Sequence, residues 1–259
     1  MSPYNHDDNG DKRYLVKPLF KAVQVLRTVC ESPTALTLQD ITELSEIPKS
    51  TVYRYLYTMK TLDMIAYDPK TETYSPGLGL WWLMQTADPF ANLRHIGRNE
   101  RRKLMKKFNE TVNLGVLTGS QILYLEIIES SQSLRMQAKP GERDEVHSTA
   151  LGKALLAFRP RSQWDALIPQ KMVRRTEKTI IVRKDMIANL ESVRRDGYAV
   201  ERGENEDGAT CIAAPILDAN SASIASISVS LPTSRASDEL TDQIVKEIVI
   251  CCETIQSRL

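Results

Sequence analysis

The chain has 259 residues, 42% of them hydrophobic, which allows one or two domains with real cores. Its 34 Lys and Arg against 33 Asp and Glu leave a net charge of +1, so no general positive field points to nucleic acid, and any DNA contact must rest on a few placed groups and on dimerisation. No run approaches the roughly 18 apolar residues of a membrane span, and the polar N-terminus lacks the apolar core of a signal peptide, so a cytoplasmic protein without membrane contact is expected.

Residues 1–13 form a polar head expected to be disordered, and a first module is expected over 14–76. Between Lys17 and Glu31, Leu19, Phe20, Val23, Leu26 and Val29 recur at a helical period, and Ser32-Pro33 ends the run. Thr37-Leu38-Gln39-Asp40 reads as a capped helix start with an early acid, followed by the short stripe Leu38, Ile41 and Leu44. Pro48 suits the first position of a third helix and Ser50 can cap the amides that follow. In that helix Val52, Leu56 and Met59 share one face, while Ser50, Tyr53, Arg54, Tyr57 and Thr61 spread over the opposite one. Met64-Ile65-Ala66-Tyr67 and Thr73-Tyr74 then flank the turn cluster Asp68 to Glu72, two β-prone runs that predict a wing.

A winged helix-turn-helix sets its recognition helix in the major groove, so the exposed face is a candidate for reading DNA. The DNA-binding set is Lys49, Ser50, Thr51, Tyr53, Arg54 and Tyr57. Arg54 lies at its centre, where a guanidinium can bridge guanine O6 and N7; Lys49, Ser50, Thr51 and Tyr53 are expected mainly on the backbone.

Leu78 to Met84, with Trp81 and Trp82 adjacent, is too apolar for a free linker and must be buried against something. The basic run from Arg94 to Lys107 predicts a solvated helix face. Thr111 to Leu117, Gln121 to Glu129 and Leu134 to Ala138 are β-prone, while Thr149 to Phe158 and Lys184 to Asp196 have helical patterning, the latter stopped by Gly197. Ile212 to Leu217 and Ile224 to Leu231, joined by Asp218-Ala219-Asn220-Ser221, predict a hairpin. Along its second strand Ala225, Ile227, Val229 and Leu231 point one way and Ser226, Ser228 and Ser230 the other, so a hydroxyl row faces something polar. A helix starting at Ser148-Thr149 offers unpaired amides and a dipole, and hydroxyls opposite it suit a small carboxylate.

The run Pro48 to Arg54 followed by Tyr74-Ser75-Pro76-Gly77 resembles the DNA-binding half of IclR-family transcription regulators. His147 to Ala157, Arg194 to Ala199, Cys211 to Ile216 and Ser226 to Ser230 follow that family's effector-domain signature in order, so the likeness runs from about Lys17 to the C-terminus. Asp63 departs from it, standing where the family usually has glycine before the wing, and Arg202-Gly203 replaces a more acidic stretch after Tyr198. The resemblance implies an α+β chain: a winged helix-turn-helix, a linker helix over 77–95 that packs between subunits, and a GAF-like α/β effector-binding domain over 96–259. It makes Trp81 and Trp82 interface anchors of a homodimer or dimer of dimers on a near-palindromic double-stranded operator. It places the effector pocket at Met136, Ala150, Leu151, Glu201, Ala209, Cys211, Ser228 and Ser230. The family's effectors include short keto acids and aromatic acids, and the small side chains at Ala150, Ala209, Ser228 and Ser230 leave room for a ring, which favours a hydroxylated benzoate-type acid.

Other readings fare worse. Cys211 with His147 could be taken for the thiol and base of a hydrolase, but no orienting Asp or Asn is identifiable and a small buried cysteine is the ordinary explanation. Gly152-Lys153-Ala154 lacks both the Ser or Thr and the upstream glycine of a phosphate loop. Cys30, Cys211, Cys251 and Cys252 show no CxxC spacing and only three histidines accompany them, which suggests reduced thiols and no metal or cofactor. A small-molecule sensor acting through protein partners shares the second domain but leaves the reading helix unexplained. The expectation is a ligand-responsive regulator, a repressor and not an enzyme.

Overall fold

The structure, a computed structural model, describes residues 15–259, so the polar head expected over 1–13 lies outside the described residues. Two compact units divide between Pro89 and Phe90.

In the first unit, helices α1 (Lys17–Glu31), α2 (Leu38–Ser45) and α3 (Lys49–Thr61) turn Val25, Val29, Ile41, Val52 and Leu56 into one core. A capping box opens α2: Thr37 Oγ1 accepts from the Asp40 amide at 3.2 Å, and the Asp40 carboxylate accepts from the Thr37 amide at 2.9 Å. The hydrogen bonds from Thr37 hold that carboxyl below its ordinary value. The start of α3 differs from the sequence expectation. Pro48 is the residue before the helix, with φ −53° and ψ 136°, and its carbonyl receives the Thr51 and Val52 amides at 2.8 and 3.0 Å. Ser50 therefore sits inside the first turn, not at the cap.

The wing is a three-stranded antiparallel sheet, with β1 (Leu36–Thr37) and β2 (Ile65–Asp68) on either side of β3 (Thr73–Pro76). Asp63, between α3 and β2, takes a left-handed conformation at φ 55°. That is the backbone for which glycine is the default, and Asp is among the side chains that tolerate it best. Its carbonyl receives the Gly79 amide at 2.8 Å, and a Cβ on Gly77 would lie 2.2 Å from the same oxygen. Glycine at 77 is thus required by a close backbone approach.

Two helices meet in the segment 77–95: α4 (Leu78–Ala87), then a break at Pro89, then α5 (Ala91–Phe108). Proline disfavours helical backbone in the residue before it, which accounts for the break. Trp81 and Trp82 on α4 are 58% and 64% exposed, beside exposed Leu78, Leu83 and Met84.

The second unit is built on a six-stranded antiparallel sheet in the order β6-β5-β4-β9-β8-β7. Its strands are β4 (Thr111–Thr118), β5 (Gln121–Ile128), β6 (Arg143–Glu145), β7 (Ala199–Arg202), β8 (Ala209–Leu217) and β9 (Ser223–Pro232). On one face Val112, Leu114, Ile212, Ile227 and Val229 meet α5 and α9 (Asp238–Gln256). The other face lies against α6 (Ala150–Ala157) and, beyond it, α8 (Arg183–Asp196), with the four-residue α7 (Trp164–Leu167) at the margin. The hairpin of β8 and β9 forms as its pattern predicts, with Ile212 opposite Val229 and Ala214 opposite Ile227.

Two expectations fail here. Leu134 to Ala138 forms no strand: the Met136 carbonyl accepts from the Thr111 hydroxyl at 3.0 Å, and the edge strand is β6, delivered by the turn in which the Glu142 amide donates to the Lys139 carbonyl. The basic run on α5 is solvated at Arg98, Arg102, Lys103, Lys106 and Lys107, but Arg101 is fully buried. A β-bulge between Leu114 and Gly115 leaves Leu125 unpaired and aligns Glu126 with Leu114 on the α5 side, where it takes the Arg101 guanidinium.

Gly77→Ala should destabilise the first unit by about 1–3 kcal/mol, the range for forcing extra volume into a filled site. Urea unfolding of the full chain checks this, and wild-type stability would show that the Asp63 carbonyl can move aside.

Candidate functional site

On α3 the buried Val52, Leu56 and Met59 fix the helix against α1 and α2, and Lys49, Ser50, Tyr53, Arg54 and Tyr57 are exposed on the opposite side, with Thr51 half-buried between. Among the described residues no acid pairs with Arg54. A groove of about 430 Å³ lined by Lys49, Tyr53, Tyr67 and Tyr74 separates the helix from the wing. The wing side is stiffened by the Tyr67 and Tyr74 rings, 4.8 Å apart, with Lys60 Nζ 5.1 Å from the Tyr67 ring. The exposed face thus combines one guanidinium, two phenols and a row of small donors on a rigid support.

In the second unit a cavity of about 100 Å³ opens on the α6 face of the sheet. Met136, Glu201, Ala209, Cys211 and Ser230 line it. Ala150 and Leu151 do not: 1% and 2% exposed, they belong to the apolar layer under α6, because the first turn of that helix packs onto the sheet. Thr149 caps that turn, its hydroxyl accepting the Gly152 amide at 3.1 Å. Ser228 also stays out of the cavity; its hydroxyl and that of Ser230 accept from Asn113 Nδ2 at 3.1 and 3.0 Å. The hydroxyls of Ser228 and Ser230 are thus tied to a neighbouring strand, Ser230 also bordering the cavity, and Ser226 completes the row by donating to the Ala214 carbonyl at 2.9 Å.

Several lining residues were missed in the sequence: Thr111, Asn113, Tyr124, Asp144 and Asn205. Thr111 and Asn113 carried a signal, since they alternate with Val112 and Leu114 and must share the face opposite the core. Asp144 reaches the cavity from the three-residue edge strand β6 and Asn205 from the turn after β7, and no periodicity announces them.

The cavity wall is acidic, and burial raises two of its carboxyls, Asp144 and Glu201, above their ordinary values. Burial pushes the Asp144 carboxyl up against the hydrogen bonds from Tyr124 at 3.2 Å and Asn205 at 3.3 Å. It pushes Glu201 up likewise, although the Glu204 amide donates to Glu201 Oε2 at 2.8 Å. Glu201 Oε1 and Asn113 Oδ1 are buried with no hydrogen-bond partner. Burial and the neighbouring Glu201 raise the Cys211 thiol well above its usual value, and the His147 ring engages the Val173 carbonyl at 3.0 Å. A thiol kept protonated and an imidazole engaged with the Val173 carbonyl make no nucleophile and base pair. Gly152 and Lys153 likewise have structural roles: a Cβ at 152 would lie 2.4 Å from Val146 Cα, and the fully buried Lys153 pairs with Glu204 at 2.5 Å.

Known proteins share both units. The pattern of the IclR helix-turn-helix domain matches residues 18–69, and that of the bacterial transcriptional regulator IclR C-terminal domain matches residues 89–257. The chain belongs to the IclR family of transcriptional regulators. The HTH-type transcriptional regulator KdgR of Escherichia coli K12 is 36% identical over 223 residues, covering 85% of each chain. The crystal structure of Thermotoga maritima IclR superposes with a TM-score of 0.79 at 27% identity, covering 95% of this chain and 99% of that one. An IclR homologue from Microbacterium hydrocarbonoxydans, crystallised with 4-hydroxybenzoate, gives a TM-score of 0.81 at 25% identity and covers 93% and 100%. These relatives are regulators and not enzymes, and among the described residues no helix is long and apolar enough to cross a membrane.

Proposed function

We propose that this IclR-family regulator works in the cytoplasm as a ligand-responsive repressor, binding a near-palindromic operator as a dimer and sensing a small hydroxylated organic acid in the cavity that Glu201 and Ser230 line. One observation carries the reading: the chain holds an exposed Arg54, with no acidic partner among the described residues, on a helix whose other face is fully packed, together with a polar cavity in its second unit. The repressor sense is supported by AllR of Klebsiella pneumoniae, an HTH-type transcriptional repressor 28% identical over 218 residues. The effector changes DNA affinity by binding one state of the protein more tightly than the other.

The cavity bears on the class of acid. Asn113 Oδ1 lacks a donor, which a ligand hydroxyl supplies, while the Ser230 hydroxyl and Asn205 offer further polar contacts. Its volume of about 100 Å³ is below the roughly 150 Å³ of a void that accepts benzene, which favours a short aliphatic hydroxy acid. An aromatic hydroxy acid is the second reading, supported by the 4-hydroxybenzoate of the Microbacterium homologue, and requires the cavity to widen. A thermal-shift screen of lactate, glycerate, pyruvate and 4-hydroxybenzoate on the full chain separates the two.

Arg54→Ala should leave the fold intact and erase about 1–3 kcal/mol of preference for the operator over unrelated DNA, the range for one bidentate guanine contact. Gel-shift titration on both DNAs checks it, and unchanged preference removes Arg54 as a base reader.

Replacing Trp81 and Trp82 by Ala should move the protein toward monomer, since exposed aromatics of this size act as interface anchors. Light scattering reads the outcome; a double variant that stays dimeric places the interface elsewhere.

Ser230→Ala should weaken the best acid from the screen about tenfold, or about 1.4 kcal/mol, with ligand-free operator binding retained. Equal affinity by calorimetry would place the ligand away from this wall.

A further inference from the structure

Glu142, Asp144, Glu201 and Glu206 line the cavity, and among the described residues no Lys, Arg or His joins them. An acid arriving as an anion therefore meets like charge in a partly dry site, where repulsion is poorly screened. The buried cation nearby is already engaged, since Lys153 pairs with Glu204. Glu201 is 1% exposed; its Oε2 receives the Glu204 amide and its Oε1 has no hydrogen-bond partner. An ionised carboxylate left dry with an empty oxygen is costly, whereas a protonated one needs only a single acceptor for its O–H.

We infer that Glu201 carries a proton on its unpartnered oxygen and donates it in a hydrogen bond to the effector's carboxylate, so that the acid binds this cavity together with one proton. The inference rests on the reading of the cavity as the effector site. It turns an acidic wall into a receptor for an anion and makes effector response a function of pH.

The groups around Glu201 are consistent with it. Tyr124 faces the cavity from β5, Asp144 from β6 and Cys211 from β8; Lys153 approaches from α6, Glu204 and Glu206 from the turn after β7, and Glu142 from the turn before β6. Thr111, Asn113 and Ser230 from β4 and β9 do not titrate. Arg202, next along β7, is exposed and pairs with Asp238 at 3.3 Å, and Arg175 acts on Asp144. Burial raises Glu201 most, and the Glu204 carboxylate adds to this; the Glu204 amide, the Cys211 thiol and Lys153 oppose it without reversing the direction.

The sign follows from linkage. Below the ligand-free pKa of Glu201 the proton is already in place and affinity for the acid does not change with pH. Above it each binding event must take up a proton, and affinity falls by up to tenfold per pH unit.

The test uses the full chain carrying δ-13C-glutamate. NMR titration, with the Glu201 signal assigned by its loss in Glu201→Gln, gives the ligand-free pKa. Calorimetry with lactate, pyruvate and 4-hydroxybenzoate across that pKa, in two buffers of different ionisation enthalpy, gives affinity and proton uptake. The expected result is a Glu201 titration above the usual value of about 4.3, uptake approaching one proton on its alkaline side, and a Glu201→Gln variant, which keeps an N–H donor, whose affinity is flat with pH. Glu201 titrating at its ordinary value, or an acid binding without uptake above the measured pKa, overturns the inference while leaving the effector site standing. A pH dependence that survives in Glu201→Gln and disappears in Asp144→Asn moves the proton to Asp144 and overturns it too. If no acid binds at any pH while operator binding persists, the effector-site reading fails first and the inference with it. Should Glu201→Gln fail to fold, Glu201→Asp serves for assignment and the wild-type titration and uptake still decide.

Discussion

A sheet covered on both faces, with one face polar, depends on satisfying hydroxyls and amides that water cannot reach. In β9 the period of two sends Ala225, Ile227, Val229 and Leu231 to α9 and Ser226, Ser228 and Ser230 toward α6. Each stranded hydroxyl under α6 would cost about 1–3 kcal/mol. Asn113 prevents this for two of them by donating both amide hydrogens across from β4, which ties the central pair of strands together through side chains as well as through backbone. The same side chain, which lines the cavity, then has its oxygen left over, buried and without a hydrogen-bond partner among the described residues. Packing and recognition meet in one residue: the group that makes the polar face tolerable also leaves an acceptor for something to fill.

The first unit is constrained differently, by close backbone approach. Asp63 reverses the chain after α3 in the left-handed conformation, and only glycine at 77 lets the wing return past its carbonyl. This sets the wing beside α3 without any long side chain spent on the junction, so Lys49, Tyr53, Arg54 and Tyr57 stay available on the outer surface. With a net charge of +1 the whole chain supplies little long-range attraction to DNA, and a rigidly held set of short-range contacts suits that balance.

What could be read from residues alone follows the same physical division. Helices α1 to α3, the wing and the β8–β9 hairpin were legible because each has a one-sided apolar pattern with turn or cap chemistry at its ends. The α3 cap lies two residues before the Ser50 that the sequence suggests, since Pro48 satisfies the helix start through its carbonyl. Leu134 to Ala138 has strand composition but no neighbour to pair with, because β6 takes that edge of β5. Arg101 resembled the other basic residues of α5, and only the bulge at Leu114, distant in sequence, shows that it is buried against Glu126. Family likeness marked Glu201, Cys211 and Ser230, which line the cavity, and Ala150, Leu151 and Ser228, which pack beside it. Asp144 and Asn205 left no trace, since one lies on a strand too short to show a period and the other in a turn.

Glu204 shows how the pieces of the second unit are joined. Its amide donates to Glu201, its carboxylate holds the buried Lys153 of α6, and its carbonyl receives the Thr179 hydroxyl at 2.7 Å. Its second carboxylate oxygen has no hydrogen-bond partner, so the pair with Lys153 is incompletely satisfied. Buried pairs of this kind add little net stability over an apolar replacement, yet losing one partner costs about 3–5 kcal/mol. A charge gained or neutralised at Glu201 acts directly on that poorly screened pair, and through Lys153 on a helix whose every residue is buried. An electrostatic change at the cavity wall is in this way felt at a helix buried throughout, where solvent does little to screen it.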